Sequence, residues 1–218
     1  MSRPRKFDEN AVIESAAGAF AAGGYGGTTM EDLTRATGLG KQSIYNSFGG
    51  KRELFLRALG QSVSAHVEWL NGQLASIDAS PLEQIRGHLD ALAIIFSSEG
   101  PLDSLFTKAT VELADRDPEV AEAAIRAYRR LEDEYAACIQ QAQASAEVDK
   151  TLDARALATY YVAVTRGMEV LGSAGVSRDV LQGIGRTAFS LLTQSSSGSL
   201  DPHHDGSGHR ETAQRAPT

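Results

Sequence analysis

The stretch Thr29–Phe48 reads TMEDLTRATGLGKQSIYNSF and decides the fold of the first part of this chain. It contains two short segments, 30–37 and 41–47, separated by the glycine-bearing turn GLG at 38–40. The apolar positions that would face inward recur at helical spacing: Met30, Leu33, Ala36, Ile44 and Phe48. Two short helices joined by such a turn predict a helix-turn-helix.

A third helix is predicted just before this stretch, which completes a three-helix module. Apolar residues recur every three or four positions over 9–22, Asp8 can cap the first turn, and Gly23-Gly24 ends the helix. A long helix is predicted from Lys51 to about Ala75. Later helices are predicted at 81–97, 102–115, 118–145, 153–174 and 177–193, several of them starting at a proline.

These elements predict an all-α protein, since no alternating pattern typical of strands is present. We expect a three-helix, helix-turn-helix DNA-binding domain at 1–50 and a larger helical domain at 51–193. From 194 to 218, serine, glycine, histidine and proline replace apolar residues, which predicts a disordered tail.

The second short helix has the chemistry of a base-reading helix. Its outward side chains, Lys41, Gln42, Ser43 and Asn46, include no acid. Glutamine and asparagine can pair with adenine through two hydrogen bonds, and lysine can reach guanine or a phosphate. The distribution of charge also favours DNA binding by the first part of the chain. Residues 1–60 hold eight Lys/Arg and six Asp/Glu, whereas the remaining residues hold 13 Lys/Arg and 22 Asp/Glu. The formal net charge of the whole chain is −7. A basic head on an acidic body directs that head towards DNA.

Several other classes of protein are disfavoured. The longest apolar runs, 91–96 and 160–164, are too short to span a bilayer, so we expect no membrane partner. A single cysteine, Cys138, precludes an internal disulfide and fits the cytoplasm. A phosphate-binding glycine loop, an HExxH motif, a CxxC motif and a nucleophile elbow are all missing, so we expect neither an enzyme nor a cofactor or metal site.

Between Phe7 and about Leu59 the chain closely resembles the tetracycline-repressor (TetR) family of bacterial regulators. The resemblance rests on FAAGGY at 20–25, TTMEDL at 28–33, GLGKQSIY at 38–45, Phe48, and KRELF at 51–55. It implies phosphate contacts by Thr28, Thr29, Tyr45 and Lys51, and base contacts by Lys41, Gln42, Ser43 and Asn46. Gly40 departs from the Ser or Thr that caps this helix in many members, and glycine is a weaker cap.

The same resemblance implies that the last two helices form a four-helix bundle with a second copy. Their apolar residues recur at helical spacing and could equally serve the core of a single chain: Leu157, Tyr160, Tyr161, Val164, Met168 and Leu171, then Val180, Leu181, Ile184, Ala188, Leu191 and Leu192. A dimer would place two reading helices about one DNA turn, ~34 Å, apart.

The resemblance also implies an inducer pocket inside the second domain, behind the long helix. Apolar walls with a few polar groups suit such a pocket. The candidate ligand-binding residues are His66, Trp69, His88, Phe96, Phe106, Glu112, Tyr128 and Tyr161, and each could instead be a packing residue.

The function expected from these features is that of a homodimeric repressor. It would bind double-stranded operator DNA and be released by a small-molecule inducer. The alternative is a regulator of the same fold that activates transcription in response to a ligand, or that needs a co-repressor to bind DNA.

Overall fold

The computed structural model describes residues 7–75, 78–98 and 104–193, and this part of the chain is helical without any strand. Its helices are α1 Glu9–Gly27, α2 Met30–Thr37, α3 Lys41–Phe48, α4 Lys51–Leu74, α5 Pro81–Ser97, α6 Leu105–Leu113, α7 Pro118–Ala144, α8 Ala154–Ser173 and α9 Arg178–Thr193. The all-α prediction is confirmed. The predicted tail at 194–218 lies outside the described residues.

Most helices begin where the sequence supplies a cap. Asp8 accepts the Asn10 N–H at 2.9 Å, as predicted, and Thr29 and Asp32 form a reciprocal capping box at the start of α2. By contrast, Gly40 occupies the cap position of α3 and supplies no side-chain cap, which is the departure noted in the sequence. α2 and α3 are each followed by a glycine in the left-handed backbone conformation, Gly38 and Gly49.

α1 and α3 pack on α4, and α2 packs on α1 and α3, around a small apolar core. Phe20, Leu33, Ile44, Phe48 and Phe55 are all nearly or fully buried, and the Phe20 and Phe55 rings meet edge to face with centroids 5.2 Å apart. The inward positions predicted for α2 and α3 are confirmed at Leu33, Ile44 and Phe48. The prediction was wrong at Ala36, which is exposed because the short α2 turns only Leu33 fully into this core.

α1 does not end at Gly23-Gly24 as predicted. Gly24 leaves helical geometry, with φ +71° and ψ 170°, and a further turn then runs to Gly27. Only glycine adopts this conformation readily. The pair therefore breaks the helix rather than ending it.

The remaining helices form the larger domain, in which α4 packs on α5 and α7, α5 packs on α8 and α9, and α7 packs on α8. A second apolar cluster, smaller than the main core, joins α5, α8 and α9 through Leu92, Ala93, Phe96, Met168 and Leu181. No helix of the described ranges is long and apolar enough to cross a membrane. α4 thus belongs to both parts, since it contacts α1 and α3 as well as α5 and α7 of the larger domain.

Candidate DNA interface and ligand pocket

α3 presents a polar, acid-free face to solvent. Lys41, Gln42, Ser43, Tyr45 and Asn46 are all exposed, while Ile44 and Phe48 anchor the opposite face. This division follows from helical periodicity, because the two apolar residues are four positions apart. The five exposed side chains can therefore approach a groove together.

Two of the base-reading candidates are paired with each other, and a third is paired with an acid. The Gln42 amide donates to the Asn46 side-chain oxygen at 2.9 Å, one helical turn away. The Lys41 ammonium forms an ion pair with Glu31 of α2. This contact lowers the pKa of the Glu31 carboxyl. DNA would have to replace these contacts when it binds.

Tyr45 lies in the second half of α3, and Lys51 is the first residue of α4. Gly50, at φ +126°, leaves room for the Tyr45 ring, whose nearest carbon would lie 3.1 Å from an added Cβ. The Lys51 ammonium lies 4.4 Å from the centroid of the Tyr25 ring, a cation–π contact. Both polar groups thus stand at the junction between α3 and α4, where a phosphate could reach them.

The two threonines predicted to contact phosphates differ in their exposure to solvent. Thr29 is exposed, although its hydroxyl also serves the capping box. Thr28 is only 2% exposed, and its hydroxyl donates to the Gly24 carbonyl at 2.7 Å. Because this hydroxyl points into the protein, the side-chain phosphate contact predicted for Thr28 is corrected to a structural role.

A pocket of about 310 Å³ lies between α4, α5 and α8. Ser62, His66 and Trp69 line it from one face of α4, at spacings of four and three residues. Its other lining residues are Leu92, Ile95, Phe96, Ser104 and Glu169. Three of the eight sequence-predicted ligand residues, His66, Trp69 and Phe96, therefore meet in one cavity.

A buried charged pair lies against this pocket. The Glu169 side chain is 3% exposed and that of Arg166 is 12% exposed, with Glu169 Oε2 2.7 Å from Arg166 Nη1. Despite this distance, neither atom is in hydrogen-bonding geometry with any group, and Arg166 Nε also has no partner. Arg166 Nη2 lies 3.0 Å from His66 Nε2. The pair is close enough for charge attraction yet leaves buried hydrogen-bonding capacity unused.

Both histidines near the pocket are held neutral. Burial lowers the pKa of His66 to about 4, and the positive charge of Arg166 adds to this effect. Burial also lowers the pKa of His88 to about 3, helped by His66 and Arg166. His88 is not among the lining residues but packs behind Trp69, with ring centroids 5.2 Å apart.

The other predicted ligand residues lie elsewhere. Phe106 and Tyr128 pack against each other between α6 and α7, with centroids 5.0 Å apart. Tyr161 is fully buried and donates its hydroxyl proton to the Ala188 carbonyl at 2.9 Å, which ties α8 to α9. Glu112 reaches the end of α1. None of these four lines the pocket described above.

Sequence reasoning missed the polar residues of α8 at this pocket. Glu169 continues a buried stripe formed by Ala158, Tyr161, Thr165 and Met168. An acid within an apolar helical stripe signals a buried charge, and charges are rarely buried without a partner. That pattern could have identified Glu169. Arg166, three residues earlier, follows as its partner.

Within the described part of the chain, neither a metal cluster nor an exposed thiol adds to these two sites. Among the described residues, no cluster of histidine, cysteine and acidic side chains could hold a metal ion. Cys138 is buried, and burial raises the pKa of its thiol to about 12. The thiol donates to the Pro81 carbonyl at 3.4 Å, so Cys138 packs between α7 and the start of α5.

Two stretches of the chain match known sequence families. Residues 12–58 match "Bacterial regulatory proteins, tetR family", and residues 81–182 match "Tetracyclin repressor-like, C-terminal domain". The HTH-type transcriptional regulator YezE of Bacillus subtilis (strain 168) is 30% identical over 169 residues, covering 73% of this chain and 83% of that protein. The chain belongs to the tetR family. It is accordingly a DNA-binding transcriptional regulator and not an enzyme.

Other tetR-family proteins match over most of the chain. The HTH-type transcriptional repressor ComR of Escherichia coli (strain K12) is 25% identical over 190 residues, covering 87% of this chain and 90% of that protein. A cysteine mutant of the regulator CifR, solved in complex with a 26-base-pair operator, has a TM-score of 0.76 and 25% identity. That match covers 88% of this chain and all of the CifR chain.

In this tetR-family regulator, α6 connects the two domains by supplying hydrogen-bond partners for the backbone at the break in α1. The break leaves the Tyr25 and Gly26 N–H groups without helical acceptors, and the two Glu112 oxygens accept them at 2.9 and 2.8 Å. On the other side of the break, the Lys108 ammonium donates to the Ala21 and Ala22 carbonyls. An acid and a base on one short helix thus match the two broken ends.

The last two helices expose an apolar face. Val170 and Leu171 of α8, with Val180 and Leu191 of α9, are between 39% and 53% exposed. Their predicted neighbours Tyr161, Met168, Leu181, Ala188 and Leu192 are instead buried within the single chain. The sequence stripes on these helices therefore combine two surfaces, one for the internal core and one that faces outward.

Proposed function

We propose that this protein is a transcriptional repressor that binds double-stranded operator DNA as a homodimer and is released by a small-molecule inducer. One observation carries this proposal: α4 contacts α3 near its start and lines the pocket further along with Ser62, His66 and Trp69. A ligand in the pocket therefore touches the same helix that supports the DNA-reading helix. The similarity to the named repressor ComR supports repression, and the operator complex of CifR supports binding to operator DNA.

On operator DNA, α3 would enter the major groove as the recognition helix. Lys41, Gln42, Ser43 and Asn46 would contact base edges from its exposed face. Thr29, Tyr45 and Lys51 would contact the backbone around it and fix its position. Because its target is bacterial operator DNA, the protein would act in the cytoplasm.

Dimerisation would use the exposed apolar face of α8 and α9. Four large apolar side chains there, Val170, Leu171, Val180 and Leu191, would leave water when a second copy covers them. Two-fold symmetry would present two copies of α3 to successive turns of the groove, ~34 Å apart.

Release would follow from a change in the spacing of the two recognition helices. A ligand shifts this equilibrium only if it binds the released state more tightly than the DNA-bound state. A tenfold loss of operator affinity corresponds to a coupling of about 1.4 kcal/mol, and operator must weaken ligand binding by the same factor. α4 and the α1–α6 junction are the two physical connections available for this coupling.

The test is a fluorescence anisotropy titration of the DNA upstream of the gene that encodes this protein, with substitutions on α3 and at the first residue of α4. Tyr45→Phe and Lys51→Met should weaken binding to all sequences, and Lys51→Met should also reduce the salt slope by about 0.9. Gln42→Ala and Asn46→Ala should relax base preference, each at a cost of roughly 1–3 kcal/mol. Unchanged affinity and unchanged preference in all four variants would refute α3 as the reading helix.

The direction of regulation is tested by a reporter placed behind the same DNA. Deleting the regulator gene should raise transcription, and adding a ligand that binds the pocket should do the same. Lower transcription after deletion would identify an activator. Tighter operator binding with ligand would identify a regulator that needs a co-repressor.

A further inference from the structure

We propose that the pocket between α4, α5 and α8 takes a compact, uncharged molecule with an apolar body and one O–H or N–H donor, and that this donor binds Glu169. The inference rests on the proposed function and adds the chemical class of the ligand. It also assigns a ligand-binding role to Glu169.

The size and walls of the pocket determine the apolar part. A dry cavity of about 150 Å³ holds one benzene molecule, so about 310 Å³ leaves room for a substituted ring rather than a fused polycyclic molecule. Trp69, Leu92, Ile95 and Phe96 supply aromatic and aliphatic walls from two helices. A ligand that is polar on every side would lose its hydration there without compensation.

Glu169 determines the polar part. Its side chain lines the pocket, is only 3% exposed, and has an oxygen, Oε2, without a hydrogen-bond partner. Arg166 Nη1 lies 2.7 Å from Oε2 but is not placed to donate a hydrogen bond to it. A buried acceptor without a hydrogen bond is costly, and an O–H or N–H donor on a ligand would reduce that cost. An ether or a ketone cannot do so, because neither has a proton to donate.

The surrounding charges favour a neutral ligand. Arg166 already balances Glu169 at 2.7 Å, so the pair brings no net charge to the pocket. A carboxylate would meet the Glu169 oxygens at close range. An ammonium would face the field of Arg166, which together with burial keeps His66 neutral. Either ion would also lose its hydration shell in an apolar cavity.

Trp69 is the only tryptophan in the chain and lies in the pocket, so its fluorescence reports occupancy directly. We suggest four probes that share a cyclohexyl ring and do not absorb light where tryptophan does. They are cyclohexylmethanol, its methyl ether, cyclohexanecarboxylate and cyclohexylmethylammonium. The wild-type protein should bind the alcohol, and the other three at least about tenfold more weakly, as expected for one lost hydrogen bond to a charged group.

Glu169→Gln provides a second arm. This change removes the counter-ion of Arg166, so the preference should move from the alcohol towards the carboxylate. Circular dichroism checks that the variant is folded, and the wild-type ranking tests the proposal without any variant. Tighter binding of the carboxylate, the ammonium or the ether to the wild-type protein would overturn it, as would no fluorescence change with any probe.

Operator titrations on the same samples keep the two proposals apart. Wild-type protein that binds operator but prefers another probe overturns only the ligand class. Protein that binds the alcohol with unchanged operator affinity supports the site and overturns release by this ligand. Protein that binds the alcohol but no operator refutes the proposed function and leaves the pocket assignment standing.

Discussion

The ion pair between Lys41 and Glu31 places a carboxylate at the edge of the face that would meet DNA. Both side chains are more than half exposed, so the pair adds little to stability. Its effect should instead fall on binding, because Glu31 competes with phosphates and bases for Lys41 and repels the DNA backbone.

We therefore expect Glu31→Gln to tighten operator binding several-fold, and more at low salt than at high salt, since salt screens the repulsion. Anisotropy titrations at two salt concentrations measure this. Glu83→Gln is the matched control, because Glu83 is also half exposed and paired with an arginine, Arg86, but lies on α5. Equal effects of the two substitutions would mean that only net charge matters.

At the residue scale, sequence reasoning succeeds where the contact is local. The cap at Asp8 and the exposed residues of α3 follow from capping preferences and periodicity within a few positions. The pocket is different, because His66 and Arg166 meet across 100 residues and Glu112 meets Gly26 across 86. Nothing in a single helical pattern specifies which distant helix will supply such a partner.

At the scale of elements, the broken α1 and the short α6 behave as one joint. Ser104, just before α6, lines the pocket and caps the helix by accepting the Thr107 N–H. Two turns later Glu112 holds the last turn of α1. A ligand that displaces Ser104 would thus move a helix whose far end grips the DNA-binding domain.

We expect Glu112→Ala to reduce the coupling between ligand and operator while leaving ligand affinity in the DNA-free protein unchanged, because Glu112 does not line the pocket between α4, α5 and α8. It should also lower the free energy of unfolding by about 1–3 kcal/mol, since two backbone N–H groups lose a charged acceptor. Operator titrations at several ligand concentrations measure the coupling.

Val111→Ala is the control, since Val111 is on the same helix and 78% exposed. If Glu112→Ala leaves the coupling at its wild-type value despite the loss of stability, the joint is only structural. The connection would then run through α4 alone.

The element boundaries were largely predictable because glycine and proline mark them. Pro81 and Pro118 begin α5 and α7 as predicted, and Gly38 ends α2. The end of α1 was not predictable, because the turn after Gly24 depends on Glu112 and Lys108 from α6. A tertiary contact there overrides the local tendency of a glycine pair to stop a helix.

At the scale of the whole molecule, the exposed apolar face of α8 and α9 predicts self-association. Val180→Asp with Leu191→Asp should split the dimer at micromolar concentration, because each carboxylate would be buried without a partner. Sedimentation velocity measures the outcome. Ile125→Asp on α7 is the control, since Ile125 is 50% exposed and lies outside this face.

The choice of positions decides whether this experiment is informative. Leu181 was among the positions that the sequence pattern placed on the same stripe, but it is fully buried against α5 and α8 within one chain. A charge there would unfold the protein rather than separate two folded copies. A doubly substituted protein that remains dimeric while folded would refute this face as the interface.

The two neutral histidines make the stability of the whole molecule depend on pH. The pKa of each is 6.5 in its unperturbed state, and in the folded protein it is about 4 for His66 and about 3 for His88. Below pH 6.5 the unfolded chain therefore binds protons that the folded chain does not. The contribution of the two histidines to the free energy of unfolding is therefore fully present above pH 6.5. It is lost as the pH falls towards their pKa values in the folded protein.

We expect the slope to approach about 1.4 kcal/mol per pH unit for each histidine between pH 6 and pH 5, roughly the window in which carboxyl groups with unshifted or lowered pKa values do not yet titrate. Urea unfolding at pH 7, 6 and 5 and fixed protein concentration measures it. His66→Gln and His88→Gln should each remove one such contribution, since glutamine does not titrate. If both variants keep the wild-type slope, the two rings are protonated in the folded protein, and the pocket would then be cationic rather than neutral.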